Sequence, residues 1–191
     1  TTRPTNWEGL TETTSSAPAK FAAFLAGVRA RCPDMIVQFS TGGRSGTGDE
    51  RGGMLVHRPD MASLATGSVN FATSVYDNPP ALVEQLARTM LESRIKPEIE
   101  VFDVAMLYSA ARLVEKGLLK SPAHVQLVLG VPNALPVRRQ ILDFFLAELA
   151  EVLPGATWTA AGIGRHQFEV NKWCLELGGH CRTGLEDNIK F

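Results

Sequence analysis

The fold is constrained most by an alternation between short apolar runs and helical segments, with roughly 30 residues from one apolar run to the next. The runs consist of hydrophobic or small residues and lack the in–out alternation of a half-exposed sheet, which is typical of parallel strands buried on both faces. Alternating strands and helices predict an α/β fold. The predicted strands are Met35–Phe39, Ala62–Val69, Ile99–Phe102, Val125–Leu129, Thr157–Ile163 and His180–Leu185.

The segments between these runs show helical spacing and ordinary boundary residues. The clearest is Pro136–Leu153, which ends before Pro154-Gly155. Its side chains Leu142, Phe145 and Leu149 recur at the spacing of one helix face. The other predicted helices begin at Pro18 and at Pro79-Pro80, or span Ala105–Glu115 and Gln167–Leu177.

The number of strand–helix units leaves two architectures open. Eight such units form a (β/α)8 TIM barrel of roughly 250 residues, whereas this sequence has 191 residues and six predicted strands. The fold is therefore either an open six-stranded sheet or a barrel that lacks two units. Thr1–Ser16 is polar and rich in threonine, which predicts a lead-in or loop.

Composition excludes several classes of function. A formal net charge of -1 gives no reason to expect nucleic acid or an anionic membrane as partner. No apolar run approaches the length of a membrane span, and the first residues do not form an apolar leader. The three cysteines show no CxxC spacing, which argues against a disulfide framework or a structural zinc knuckle and favours the cytoplasm.

Polar turns follow two of the predicted strands, and the C-terminal ends of strands are where barrels carry their active sites. CRTGLEDN holds Arg182, Glu186 and Asp187, and FSTGGRSG follows the first strand. Taken alone, the carboxylates would be interpreted as a solvated turn and STGG as an ordinary strand-to-helix turn. GGRSGTGD lacks the GxxxxGK[ST] pattern of a phosphate loop.

Five segments together resemble the β-keto acid cleavage enzymes, from about Phe21 to Phe191. They are QFSTGGRSG, RPDMASLATGSVNF, KPEIEVFD, LVLGVP and GIGRHQFEVNKWCLELGGHCRTGLEDN, in the family's order. The resemblance implies an incomplete (β/α)8 TIM barrel over residues 17–191, with its first two strands absent from this sequence. It also implies a zinc-dependent acyltransferase that converts a β-keto acid and acetyl-CoA into acetoacetate and a new acyl-CoA, and a homo-oligomer.

The resemblance implies roles for the residues of the last turn and of the central strand. Glu186 looks like the carboxylate ligand of the zinc ion (Zn2+), and Asp187 like the general base that removes the α-proton. Arg182 looks like the charge partner that keeps Asp187 ionised and aimed. Glu100 matches the inward-facing glutamate of the family's central strand, with a buried ion pair to a barrel arginine as the alternative.

Three further residues look like groups that hold the substrate carboxylate and carbonyl. They are Ser40 and Gly43 in STGG and Thr66 in LATGS, although Ser68 competes with Thr66 for the same role. Selectivity for the keto acid side chain is expected in Val131–Pro136 and around Arg165 and Gln167.

One departure from the family keeps other functions open. The family's other two zinc ligands are a His-x-His pair, and the four histidines of this sequence include no such pair. A metal-dependent aldolase or lyase on the same barrel is one alternative. A non-catalytic barrel remnant that binds a ligand is the other.

Overall fold

The computed structural model describes residues 18–42 and 51–189, and the main element within these ranges is a six-stranded parallel sheet. In chain order the strands are β1 (Gln38–Phe39), β2 (Met61–Ala65), β3 (Val69–Asn70), β4 (Val75–Tyr76), β5 (Lys96–Val101), β6 (His124–Leu129), β7 (Thr157–Gly162) and β8 (His180–Cys181). The α-helices are α1 (Pro18–Arg31), α2 (Pro80–Ser93), α3 (Val104–Glu115), α4 (Arg139–Val152) and α5 (Gln167–Leu177).

The strands of the sheet wind in one direction. β1, β2, β5, β6, β7 and β8 lie side by side in that order, and each neighbouring pair is parallel. A doubly wound sheet has a point where this order reverses, whereas a barrel does not. The described strands confirm the predicted α/β class with a parallel sheet. An eight-stranded barrel and a single domain over residues 17–191 stay predictions.

The hydrophobic core fills the space between the sheet and its helices. On β6, Val125, Leu127 and Leu129 are at most 1% exposed. They point to one side because successive strand residues face opposite sides of a sheet. The apolar face predicted for α4 is buried, which confirms it, and α2 also buries one face against the core. At the start of α3, the Asp103 carboxylate accepts a hydrogen bond from the amide of Met106 and caps the helix.

The opposite face of the sheet is also buried, and several of its side chains are polar. Glu98 on β5, Gln126 on β6 and Thr159 on β7 are all less than a tenth exposed. The strands β2, β5, β6 and β7 are therefore largely buried on both faces, as predicted, whereas Gln38 on β1 and both residues of β8 are exposed. The apolar runs of the sequence did not predict these buried polar side chains.

The second predicted strand is wrong at its C-terminal end. β2 ends at Ala65, and Val69 belongs to β3, which pairs antiparallel with β4 in a separate hairpin. Gly67 lies between the two strands, and a Cβ atom there would lie 3.1 Å from Cγ of Met106 on α3. The missing side chain allows the chain to pass close to α3 as it leaves the sheet.

Other boundaries also differ from the prediction. β1 begins at Gln38 rather than Met35, and β5 begins at Lys96 rather than Ile99. β8 ends at Cys181, because residues 184–187 form a turn in which the Asp187 amide donates to the Gly184 carbonyl over 3.2 Å. α4 begins at Arg139 rather than Pro136, because Arg138 has an extended backbone.

Two predictions lie outside the described residues, namely the lead-in Thr1–Ser16 and the substrate role of Gly43. Among the helices of residues 18–42 and 51–189, none has the length and apolar character that crossing a membrane requires.

Candidate active site

The turn after β8 brings three charged side chains together. Nε of Arg182 donates a hydrogen bond to Oδ2 of Asp187 over 2.7 Å, and its Nη2 donates to Oδ1 over 2.9 Å. The same Nη2 donates to Oε2 of Glu186 over 3.0 Å. The Asp187 side chain is 3% exposed, whereas the Glu186 side chain is 70% exposed. The turn therefore holds one anchored carboxylate and one that faces solvent.

Arg182 is held firmly in its charged form. Burial acts against the charge, but the hydrogen bond to Asp187 and the negative charges of Asp187, Glu186 and Glu100 outweigh burial and raise the pKa of Arg182. Charge-assisted, two-pronged contacts of this kind are among the stronger hydrogen bonds in proteins, and they also fix orientation. The pairing therefore determines the direction in which the Asp187 carboxylate points.

Further contacts tie this turn to the end of β7 and the start of α5. The Gly164 amide donates to the Asp187 carbonyl over 2.7 Å. Nε2 of Gln167 donates to the Gly184 carbonyl, and Oγ1 of Thr183 donates to Oε1 of Gln167 over 3.0 Å. Gln167 was predicted to take part in substrate selectivity, and in the structure it supports the acidic turn.

Glu100 is a partly buried carboxyl group on β5, and it accepts a weak hydrogen bond from Nε2 of Gln126 over 3.4 Å. Burial, followed by the negative charge of Glu98 on the same strand, raises the pKa of Glu100 to about 7. The charge of Arg182 opposes this shift, and that of Glu186 adds to it. A carboxyl group that titrates near neutrality suits general acid–base catalysis, and it lies within electrostatic range of the acidic turn.

The two described substrate candidates differ in the freedom of their hydroxyl groups. Ser40 is exposed, and its Oγ accepts a hydrogen bond from the Gly42 amide over 3.1 Å. Thr66 is buried, and its hydroxyl donates to the Met106 carbonyl over 2.7 Å. Because a substrate carboxylate needs a donor, the Thr66 hydroxyl would have to leave Met106 to bind it. Ser68, the competing residue, accepts from the Asn78 amide over 2.7 Å.

The candidate residues gather at one edge of the sheet. Ser40 follows β1, Thr66 follows β2, Glu100 is next to last on β5, and Arg182 follows β8. The C-terminal ends of parallel strands share one edge, which is the edge where barrels carry their active sites. Direct contacts join Arg182, Glu186 and Asp187. Glu100 interacts with them through its charge.

A second polar cluster, which the sequence did not predict, lies on the face of the sheet that carries Glu98, Gln126 and Thr159. Glu98 accepts a hydrogen bond from Nε2 of Gln38, and Nε2 of His124 lies 3.7 Å from Oε1 of Glu98. The pattern that could have revealed it is a polar residue at every second position, Glu98 and Glu100 on β5 and His124 and Gln126 on β6. Buried Arg51 was also missed, because no pattern singles it out.

The loop after β6, which is predicted to govern selectivity, closes on itself. The Gly130 amide donates to the Leu135 carbonyl over 2.8 Å, and the Ala134 amide donates to the Val131 carbonyl over 3.1 Å. The loop follows a strand of the same sheet, so it begins at the edge that carries the acidic turn.

The described residues do not form a metal centre by themselves. In residues 18–42 and 51–189, no group of three or more His, Cys, Asp or Glu side chains is placed to hold a metal ion. A catalytic zinc ion has three protein ligands in addition to its open position. Glu186 is a suitable oxygen donor, but it accounts for one ligand.

Curated proteins similar to this chain share its sequence over nearly its whole length. The 3-oxoadipate:acetyl-CoA acetyltransferase of Cupriavidus necator is 57% identical over 180 residues, which cover 94% of this chain and 63% of that protein. A 3-keto-5-aminohexanoate cleavage enzyme of Fusobacterium nucleatum subsp. nucleatum is 37% identical over 173 residues, which cover 89% of this chain and 61% of that protein. The chain thus spans less than two thirds of the length of these relatives.

A solved structure supports the fold independently. The apo structure of ObcA matches 92% of this chain and 46% of its own with a TM-score of 0.76 and 21% identity. At the level of sequence, the family model described as beta-keto acid cleavage enzyme matches residues 8–191. A match over this much of the sequence shows that the chain belongs to the beta-keto acid cleavage enzyme family.

Proposed function

We propose that this chain is part of an acyltransferase that converts a β-keto acid and acetyl-CoA into acetoacetate and a new acyl-CoA. The observation that carries the proposal is the pair of Asp187 and Arg182 at the end of the parallel sheet, with Glu100 in electrostatic range. Family membership supports it, as do the names of the relatives, which describe acetyl transfer from acetyl-CoA and cleavage of a keto acid.

The reaction needs a base that removes a proton from the carbon between the ketone and the carboxylate. Asp187 takes this role, because Arg182 fixes its orientation and leaves carboxylate lone pairs free to accept a proton. The resulting enolate attacks the acetyl-CoA carbonyl, and the CoA thiolate leaves. The thiolate then attacks the original ketone carbonyl, and the carbon–carbon bond to that ketone breaks. Acetoacetate recovers the proton, and the original acyl group leaves as its CoA thioester.

Glu100 completes the proton chemistry. Because its pKa is about 7, both its protonated and its ionised forms are populated near neutrality. The protonated form can donate a hydrogen bond to the oxygen that becomes negative when the enolate forms, and the ionised form can take the proton back.

The proposal includes a zinc ion, for which Glu186 is the one ligand among the described residues. The remaining ligands would come from residues outside the ranges 18–42 and 51–189. A bound zinc ion would act as a Lewis acid on the substrate oxygens. The proposal also includes a complete (β/α)8 TIM barrel, supported by the one-directional strand order, and a homo-oligomer in the cytoplasm, supported by family membership and by the three free cysteines.

Isotope transfer tests the proposal directly. The purified protein is incubated with acetyl-CoA labelled with 13C in both acetyl carbons and with a panel of β-keto acids that includes 3-oxoadipate. Mass spectrometry should find doubly labelled acetoacetate and an unlabelled new acyl-CoA in equal amounts. Asp187→Asn should abolish both products, and Glu186→Gln should lower both the activity and the zinc content.

The alternative functions give different outcomes in the same experiment. An aldolase or lyase would cleave the keto acid without acetyl-CoA and leave the label in acetyl-CoA. A ligand-binding barrel remnant would bind a keto acid and release no product, which would overturn the proposed transfer.

A further inference from the structure

Arg51 is a buried arginine whose hydrogen bonds to the described residues all go to neutral groups. The residue is 7% exposed, and arginine is rarely buried unless it is paired. Within the described residues, no Asp or Glu oxygen lies within ion-pair distance of its guanidinium group, although nine other ion pairs involve described side chains. Within residues 18–42 and 51–189, this buried positive charge therefore has no negative charge in direct contact.

Neutral groups hold the Arg51 guanidinium instead. Nε donates to the Thr41 carbonyl over 2.8 Å, and Nη1 donates to the Asp77 carbonyl over 2.7 Å. Nη2 donates to Oδ1 of Asn78 over 2.7 Å and to the Tyr76 hydroxyl over 3.4 Å. The guanidinium carbon lies 5.3 Å from the centre of the Tyr76 ring. These contacts fix the orientation of the group without neutralising its charge.

The contacts of Arg51 join the two segments that carry the substrate candidates. Thr41 stands beside Ser40 after β1, and it also bonds to Ser63 on β2. Asn78 follows the hairpin, and its Nδ2 donates to the Gly67 carbonyl, next to Thr66. If Arg51 were removed, the link between these two segments would lose all four hydrogen bonds of the guanidinium group.

The positive charge of Arg51 acts on a residue of the candidate active site. It lowers the pKa of Glu100 against the larger, opposite effect of burial. A charge that affects a carboxyl group on β5 also acts on an anionic substrate bound at the same edge, because this interior is poorly screened.

We propose that Arg51 is a positioning residue that aligns the segments after β1 and β2, and that its charge, which no described carboxylate neutralises, makes the site at their ends selective for an anionic substrate. The inference deepens the proposed function and rests on it, because a β-keto acid is a carboxylate under the conditions of the reaction. Arg51 acts through the alignment of the two segments and through its field, and it need not touch the reacting atoms.

Binding measurements with a charged and a neutral ligand test the inference without relying on turnover. Acetoacetate and its neutral analogue acetoacetamide are titrated by calorimetry into the wild type and into Arg51→Met. We expect the variant to bind both ligands more weakly, because the two segments lose their alignment. Its affinity for acetoacetate should fall at least about tenfold further than its affinity for acetoacetamide, because the charge is gone. Arg51→Lys keeps the charge, so it should retain the preference for acetoacetate although it loses the forked contacts.

Asn78→Asp provides a second test that keeps the arginine in place. It also removes the hydrogen bonds that Nδ2 donates to the Gly67 and Tyr76 carbonyls, so the readout is the affinity for acetoacetate relative to acetoacetamide. The new carboxylate would lie where Oδ1 now accepts from Arg51, and it would neutralise the guanidinium group. Acetoacetate binding should weaken as is expected for Arg51→Met. This variant also keeps the inference testable if Arg51→Met does not fold. Asn70→Asp adds the same charge at an exposed position of the same hairpin and should leave binding unchanged.

The outcomes separate the inference from the proposed function. If Arg51→Met or Asn78→Asp binds acetoacetate as tightly as the wild type does, the inference is overturned and the acyltransferase proposal stands. If both ligands weaken equally, Arg51 aligns the segments only, and charge selection is wrong. If the wild type binds neither ligand, both proposals fail.

Discussion

Arg182 and Asp187 face each other through two parallel hydrogen bonds of 2.7 and 2.9 Å, and both are held at the end of the sheet. The carboxylate is nearly inaccessible to water, while a quarter of the arginine side chain is exposed. A buried charge that loses its partner is strongly destabilising, because it is left both desolvated and uncompensated.

We therefore expect Arg182→Met to lower the free energy of unfolding by roughly 3 kcal/mol at pH 7. Urea unfolding would measure the change. Arg139→Met is the matched control, because Arg139 pairs with Asp143 and Glu176 on the surface. Its cost should stay below about 1 kcal/mol. Equal costs for the two variants would show that the Arg182 pair behaves as an ordinary surface pair.

The raised pKa of Glu100 predicts a pH-dependent stability. In the folded protein the pKa is about 7 instead of the ordinary 4.5, so the folded state binds the proton more tightly than the unfolded chain does. The stability that this proton contributes is fully present below pH 4.5 and is lost as pH rises through 7. The separation of the two pKa values corresponds to roughly 3 kcal/mol at most.

Glu100→Gln removes this loss, because the amide stays neutral at every pH. The variant should be more stable than the wild type at pH 8.5, and the difference should shrink as pH falls towards 4.5. Denaturant unfolding across this range measures it. Glu84→Gln should have the opposite sign at neutral pH, because the hydrogen bond and charge of Lys116 lower the pKa of Glu84. A pH-independent difference for Glu100→Gln would contradict the prediction.

Gly162 ends β7 at a point where the following backbone lies close to it. A Cβ atom there would lie 2.5 Å from the carbonyl oxygen of His166 and 2.8 Å from Cγ2 of Val170. Gly162→Ala should therefore lower the free energy of unfolding by more than about 2 kcal/mol, since the backbone has to shift to relieve the overlap.

Gly155→Ala separates steric overlap from backbone strain. Gly155 has a φ of +76°, and among the described residues no atom lies within 4 Å of a Cβ placed there. The cost of this variant should be about 1 kcal/mol, from the left-handed backbone alone. Thermal unfolding of both variants would compare the two effects. A smaller loss of stability in Gly162→Ala than in Gly155→Ala would mean that the backbone at the end of β7 shifts easily.

The three cysteines should differ in reactivity. Cys174 is fully buried, and burial raises the pKa of its thiol to about 11, whereas Cys32 and Cys181 are exposed. Iodoacetamide at pH 8 should modify Cys32 and Cys181 in the native protein and leave Cys174 unmodified, because the thiolate is the reactive form. Peptide mass spectrometry would locate the label. Unfolding in urea should make all three react, and rapid native labelling of Cys174 would show that α5 opens readily.

The sequence predicted what depends on local patterns. The order of strands and helices follows from periodicity, and the turn at Glu186-Asp187 was recognisable from its residues and from the resemblance. The polar face of the sheet was not predicted. Glu98 meets its partners only because β1, β5 and β6 lie side by side, and local sequence patterns do not contain that information. Arg51 was missed for the same reason, since Tyr76, Asp77 and Asn78 bond to it from 25 to 27 residues away.

The segment Val131–Pro136 closes on itself through two backbone hydrogen bonds, whereas the acidic turn is held by the end of β7 and the start of α5. Substitutions at its exposed positions, such as Pro132, are therefore expected to leave Asp187 in place. Under the proposed acyltransferase function, such substitutions would change the choice of keto acid while the proton-transfer residues keep their positions. Diversification by loop exchange between paralogues is the evolutionary route that this separation favours.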